Sequence, residues 1–397
     1  MPATLTTIND LLKEVYEPRI QDQLQNETVT IKRIEQTSDG VVESTGGKYV
    51  DFPVHVQRNA GIGYRPESTA LPTAGQQGFA SVHVPLHYGY GVFQVTGQTM
   101  QLSDTNEKAF AKALTEEQED LKDDLVKDSS RVVYSDGSGV LANITDTATS
   151  TSHTVDSTQY MEVGQQVDIL TKSSGATVLL NTSVTNVVPS TLTVTFGGSF
   201  TGATTAAVYR QGNRNNEPSG FSNIIAASGA LHGLDPSTQP KWASTVNNNS
   251  GSPGTPRPLS EGLMIQTCDQ ARFQGGQISV IFTSLGVRRA YFNLLTQQRR
   301  MVNTQTFEGG FTGLPFNYGR EIPVVEDVDA PPNRMWFVEE KQFKVYRTKD
   351  WHYADDDGDI IKWIVGFDTW TGFMRKYWEI GTHRRNAHAL LSDITEG

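Results

Sequence analysis

A single cysteine, Cys268, is all the thiol chemistry in this 397-residue chain. An intramolecular disulfide is therefore excluded, and so is a zinc site built from Cys-x-x-Cys pairs. Charge is scarce as well: Asp, Glu, Lys and Arg make up 19% of residues and sum to −11. That balance argues against a broad basic face for gripping nucleic acid and suits partners that are themselves proteins. No apolar run approaches the ~20 residues of a membrane span. The longest, residues 360–367, is short and interrupted by Lys362. The polar, threonine-rich first residues do not read as a secretory leader. Signatures of catalysis are missing too, with no Gly-x-Ser-x-Gly elbow and no Walker-type loop, while Gly61-Ile62-Gly63 stands outside any dinucleotide fingerprint. No catalytic residue, cofactor or metal is expected, and Cys268 reads as a small core residue on the apolar side of a helix.

What the chain does have begins with two alternating arms. In residues 48–57 Val50, Phe52, Val54 and Val56 share one face, and in residues 79–88 Val82, Val84, Leu86 and Tyr88 do so. A Gly/Pro-rich stretch from Arg58 to Gly78 separates them, far longer than the 2–5 residues usual for a hairpin. Each arm spans roughly 30 Å at ~3.3 Å per residue. An isolated two-stranded ribbon is marginal in water, so this one is expected to lie on something outside its own domain. Residues 89–101 return the chain as a strand. Before the ribbon, Ile8, Leu11, Leu12 and Val15 mark a short helix capped by Thr7 within an N-terminal arm.

After the ribbon, Asp104 with Glu107 makes a capping box. Phe110, Leu114, Leu121, Leu125 and Val132 then form an apolar stripe at helical spacing. The helix ends at Gly137 and Gly139, and its outer face is acidic, with Glu116, Glu117, Glu119, Asp120, Asp123, Asp124 and Asp128. Composition then changes: residues 143–209 are rich in Thr, Ser, Val and Gly, with short alternating runs between turn signals, which predicts a small inserted all-β module. Further on come a helix capped by Ser260, Gly275-Gly276, a buried strand at 278–282 and a second helix from Ser284. The remainder is mostly strand, with a hairpin expected around Asp355–Asp359 and a last strand near 387–394.

This succession resembles the major capsid protein of tailed bacteriophages, the α+β Hong Kong 97-like fold shared with herpesvirus capsids. The turn at residues 137–139 is similar to the Asp-Gly-(Ser/Thr)-Gly that often follows the long helix of that family. The resemblance implies an N-terminal arm (1–43), an extended loop with its return strand (44–101) and a spine helix (102–139). An inserted β-barrel-like domain (140–212), an axial domain (213–340) and peripheral strands (341–397) follow. It implies a shell protein assembled in the host cytoplasm as hexamers and pentamers and found in the virion. Partners would be further copies, a scaffolding protein, a portal, packaged double-stranded DNA held without sequence-specific contact, and as a further candidate a decoration protein. No membrane is involved. The alternative from another class is a secreted or tail-fibre-type β-rich carbohydrate-binding protein, supported by the Thr/Ser-rich module.

Candidate contacts between subunits follow from charge. Arg58 and Arg65 at the ribbon tip are matched with Glu116, Glu119, Asp120 and Asp123 on a neighbour's spine, and Arg384-Arg385 with a neighbour's carboxylate. Asp355-Asp356-Asp357-Gly358-Asp359 lacks the spacing of a calcium loop and reads as a solvated turn. His83 and His87 sit ~13 Å apart on a strand, too far to share an ion. Some relatives of this fold cross-link a loop lysine to an asparagine. Here the only lysine of the loop is Lys48, at its base, and a guanidinium cannot act as the nucleophile. The shell is therefore expected to hold without covalent links.

Overall fold

The structure, a computed structural model, describes residues 27–36, 41–43, 49–98, 107–297, 305–306, 312–355 and 358–397. The helix expected at residues 8–15, the cap Asp104 and Lys48 lie outside them. So do Asp356 and Asp357.

The spine helix runs Glu107–Val133, about 40 Å at ~1.5 Å per residue. Its last turn enters the main core through Val132, Val133 and Tyr134. It stops where Gly137 (φ 82°) and Gly139 (φ 81°) take left-handed backbone. Asp136 Oδ1 accepts the Ser138 amide at 2.9 Å, closing the turn.

One sheet is organised by the 14-residue strand Thr369–Thr382. The return strand His87–Thr96 pairs along it antiparallel. Its other edge takes Phe343–Arg347, His352–Tyr353 and Lys362–Trp363 in turn. The expected hairpin around Asp355–Asp359 is thus corrected: its two flanking strands pair with the long strand and not with each other. The sheet approaches the spine so closely that a Cβ on Gly91 would meet Leu125 at 2.6 Å.

A second sheet has Val280–Thr283 at its centre, all four residues buried. It pairs parallel with Glu321–Glu326 and antiparallel with Met335–Val338. Both faces are covered. Ile281, Met335 and Phe337 pack under the helices Glu261–Phe273 and Leu285–Gln297 with Met264, Cys268 and Tyr291. Val280, Phe282, Trp336 and Val338 enter the main core with Phe221 and Tyr134. Ser260 caps the first of these helices, accepting from the Leu263 amide at 3.3 Å. The last strand, Ala389–Leu391, belongs here, between Met335–Val338 and Thr245–Asn247. That corrects the expectation that it closes the other sheet: three consecutive buried apolar residues satisfy the two-faced interior of this one.

Between Val140 and Arg210 six strands form an antiparallel sheet of their own. The Ile144–Val155 bridge and the Thr145 amide to Thr154 carbonyl bond (3.0 Å) join its end strands, rolling it into a barrel. Val167, Ile169, Val184, Val194, Phe196 and Val208 fill the interior. The entering strand Val140–Asn143 pairs with the leaving strand Ala206–Arg210.

The ribbon pairs Tyr49–Gln57 with Gly78–Pro85. Contrary to expectation, its inner face lies on its own chain. Val82 and Val84 are fully buried in the main core, Val50, Phe52 and Val54 pack against it, and Phe52 meets the His383 ring at 4.9 Å. Alternation identifies which face is apolar but not whose surface it covers. Helix Val29–Gln36 is likewise built in, with Ile31 and Ile34 in that core. Its Thr30 amide donates to buried Asp327 at 3.1 Å, which suits the positive end of a helix.

Candidate assembly surface

Beyond Gln57 the ribbon leaves its own chain. On the tip Ile62 is 82% exposed, Leu71 87% and Tyr64 wholly so, with Arg58 and Arg65 exposed beside them. Large apolar side chains on a monomer surface mark a contact that the single chain does not complete. A second such cluster, Ile360, Trp363, Val365 and Phe367, sits at the end of the long strand's sheet.

The spine presents Glu119, Asp120 and Asp123 exposed, while the Glu116 side chain lies outside the described residues. Among the described residues none of these three forms an ion pair, nor does Arg58 or Arg65. Asp128, further along, is neutralised inside the chain by Arg131 at 2.9 Å and by Arg210 of the barrel at 3.0 Å. Burial pushes its carboxyl up, and the two guanidiniums outweigh burial and hold it at about 2. Asp124 behaves oppositely. Burial raises its carboxyl, and Glu162 and Asp120 raise it further, so this stretch of the spine carries excess negative charge.

The Arg384-Arg385 pair separates. Arg384 is exposed and donates to the Gly275 carbonyl at 3.0 Å. Arg385 is fully buried and is not a contact residue between subunits. It donates to the carbonyls of Gly229 (2.8 Å), Asn223 (2.9 Å), Ile224 (3.0 Å), Ser228 (3.3 Å) and Trp242 (3.4 Å). Burial pulls its guanidinium down to about 10, against the pull of Asp235. The planar five-donor fork is what allows one cation to satisfy a ring of carbonyls.

His83 pairs with Asp51 at 2.7 Å on the ribbon surface, and His87 turns instead to Glu379. No group of three or more His, Cys, Asp or Glu among the described residues is placed to hold a metal. The Cys268 thiol is pushed up to about 12 by burial and by Asp269, the state of an inert core residue. No helix among the described residues is long and apolar enough to cross a membrane.

Residues 197–365 match the family model of the SU10 major capsid protein. The fold matches the capsid asymmetric unit of cyanophage A-1(L) with a TM-score of 0.60, over 99% of this chain and 100% of that one, at 17% identity. The chain has the fold of that phage capsid subunit. The native capsid of a GTA particle aligns over 97% of this chain and 96% of that one, at 11% identity and a TM-score of 0.49. Mycobacterium phage Bobi aligns over 99% of both, at 9% identity and a TM-score of 0.49. No curated protein matches.

Sequence reasoning missed the buried charges that organise this fold. Asp327 accepts from Thr30 and Tyr134, and Lys127 bonds Asp329 at 2.9 Å, together tying helix Val29–Gln36 to the spine. Lys376, also buried, bonds Asp350 at 3.1 Å beneath the Trp378 ring. The available signal was Lys376 and Glu379 standing among Met374, Tyr377, Trp378 and Ile380 of the long strand. Charges there must be paired, because an unpaired buried charge costs several kcal/mol.

Proposed function

We propose that this chain is a tailed-phage major capsid protein that closes an icosahedral shell from hexamers and pentamers around packaged double-stranded DNA, acting as building material and not as an enzyme. The observation that carries this reading is the ribbon. Its root is built into the chain's own core while its apolar, cation-bearing tip has no cover there. A contact left open on one copy and filled by the next is heterologous, and such contacts close into rings when the rotation allows. In this reading residues 213–340 approach the capsomer axes, and the spine with 341–382 joins capsomers. A scaffolding protein and a portal act in assembly in the host cytoplasm. Each added subunit engages several weak contacts at high effective concentration, so none need be strong.

The cations of the tip are assigned to the neighbour's acidic spine: Arg58 or Arg65 against Glu116, Glu119, Asp120 or Asp123. The uncompensated carboxylates around Asp124 and Asp120 support that direction. Each pair contributes on the order of 1 kcal/mol, screened by salt and repeated at every subunit. Arg65→Glu is expected to lower the melting temperature of shells at low salt and to narrow the difference at high salt. Unchanged melting at both salt concentrations overturns the pairing.

A further inference from the structure

At the root of the ribbon one carboxylate is enclosed by three segments of chain. Glu379 is fully buried on the strand Thr369–Thr382. His87, first residue of the return strand, bonds its Oε2 through Nδ1. The Ser219 amide donates to Oε1 at 2.6 Å. His232 Nε2 stands 3.7 Å from Oε1, beyond hydrogen-bond reach, and neither of its buried ring nitrogens has a hydrogen-bond partner among the described residues. A tight turn presents that second imidazole. Leu231 and Leu234 exchange hydrogen bonds at 2.9 and 3.1 Å, and His232 (φ 50°) and Gly233 (φ 86°) take left-handed backbone between them. The His232 carbonyl in turn accepts the His83 amide of the ribbon at 3.0 Å. The position of this turn relative to Glu379 is thereby passed to the strand Gly78–Pro85.

The other groups around the carboxylate cannot replace these partners. Tyr346 lies opposite Glu379 in register, and burial raises its phenol, so it stays neutral. Lys344, opposite Gly381, shares that face, and its charge together with burial lowers the neighbouring His383 imidazole. His83 is paired with Asp51 at the surface, and Arg131 with Glu217 at 2.5 Å. Among the described residues His87 alone combines contact with Glu379 and a route to solvent, its side chain being 26% exposed.

We propose that Glu379 and His87, packed against the His232 turn, form a proton-operated clasp that fastens the ribbon root. A solvent proton on His87 makes a charge-assisted bond to the carboxylate. The hydrogen bond that His87 donates to Glu379 raises its imidazole, burial opposing. A raised folded value means the contribution is full below the unfolded value of ~6.5 and is lost as pH rises through the folded one. The clasp therefore closes toward acid and loosens toward alkali.

What the ribbon does once fastened rests on the shell reading, whereas the clasp is a property of one chain. The test is hydrogen exchange, corrected for intrinsic rates, on the unassembled full-length protein and on shells between pH 5 and 9. Peptides covering residues 82–90 and 229–234 are expected to lose about tenfold or more in protection from pH 6 to pH 9. Barrel peptides around 166–171 should stay level, and His87→Gln should flatten the root profile. A level wild-type profile, or an undiminished one in His87→Gln, overturns the clasp. A clasp that titrates in the free chain while shell melting ignores pH over the same range counts against the shell role of the ribbon and leaves the clasp standing.

Discussion

Replacing Arg385 with alanine removes the one cation that holds five carbonyls between Asn223 and Trp242 to the turn before the last strand. Three of its bonds, at 2.8, 2.9 and 3.0 Å, are short enough to count fully, and those at 3.3 and 3.4 Å are weak. A hydrogen bond from a charged donor contributes roughly 1.5–3 kcal/mol net, and a buried carbonyl left without a partner costs roughly 1–3 kcal/mol. The cost of burying the guanidinium, visible in its lowered basicity, is recovered on deletion and offsets part of this. The expected loss is about 3–5 kcal/mol. Urea unfolding of the unassembled protein, followed by fluorescence of Trp242 and Trp336 in the adjoining core, measures it. Arg385→Lys should recover little, because an ammonium has three donors and cannot span the ring. Arg384→Ala, at the exposed neighbour, should cost less than about 1 kcal/mol. If Arg385→Ala falls within about 1 kcal/mol of wild type, the ring of carbonyls does not need its cation and the reasoning is wrong.

Three shorter predictions concern the spine, the barrel and the shell. Gly91→Ala places a methyl 2.6 Å from Leu125, so the return strand must lift from the spine helix. Thermal unfolding should register a loss of roughly 1–3 kcal/mol, and equal stability would show that the spine yields freely. In the barrel, Asp146 lies 2.7 Å from the buried His153 ring; burial raises its carboxyl, and the bonds from His153 and Thr154 together outweigh burial and hold it low. A lowered folded value gives stability that is present above the unfolded ~3.8 and fades as pH falls through the folded value. Asp146→Asn should therefore flatten the acid limb of barrel unfolding, monitored by exchange in residues 149–154; an unaltered limb would acquit the pair. Mature particles boiled in denaturant should run as one band near 43.7 kDa, and a ladder of covalent oligomers would show that Lys48 or another group cross-links.

Local signals in the sequence translated directly into structure. Ser260 caps its helix, Gly137 and Gly139 end the spine, and the Thr/Ser-rich composition from residue 143 marks the six-stranded barrel. Long-range choices did not translate. Ala389–Leu391 reads as a buried strand in any sheet, and only the open edge of Met335–Val338 decides which one. Val82 and Val84 declare an apolar face, yet the same alternation fits a neighbour's surface as well as the chain's own core. Arg385 looks like half of a surface pair, because carbonyls from a loop some 150 positions upstream leave no trace in the residues beside it. The clasp was hidden for the same reason: Glu379, His87 and His232 lie far apart in sequence and meet only once the ribbon root is packed.

The central claim, that a ribbon rooted in its own core completes a neighbouring copy, is tested most directly by electron cryomicroscopy of particles assembled from this chain. The account predicts closed icosahedral shells in which Ile62, Tyr64 and Leu71 are covered by an adjacent subunit and Arg58 or Arg65 lies within ~4 Å of its Glu116, Glu119, Asp120 or Asp123. Fibres or small oligomers, or shells whose tips lie free or fold back on their own subunit, would contradict it.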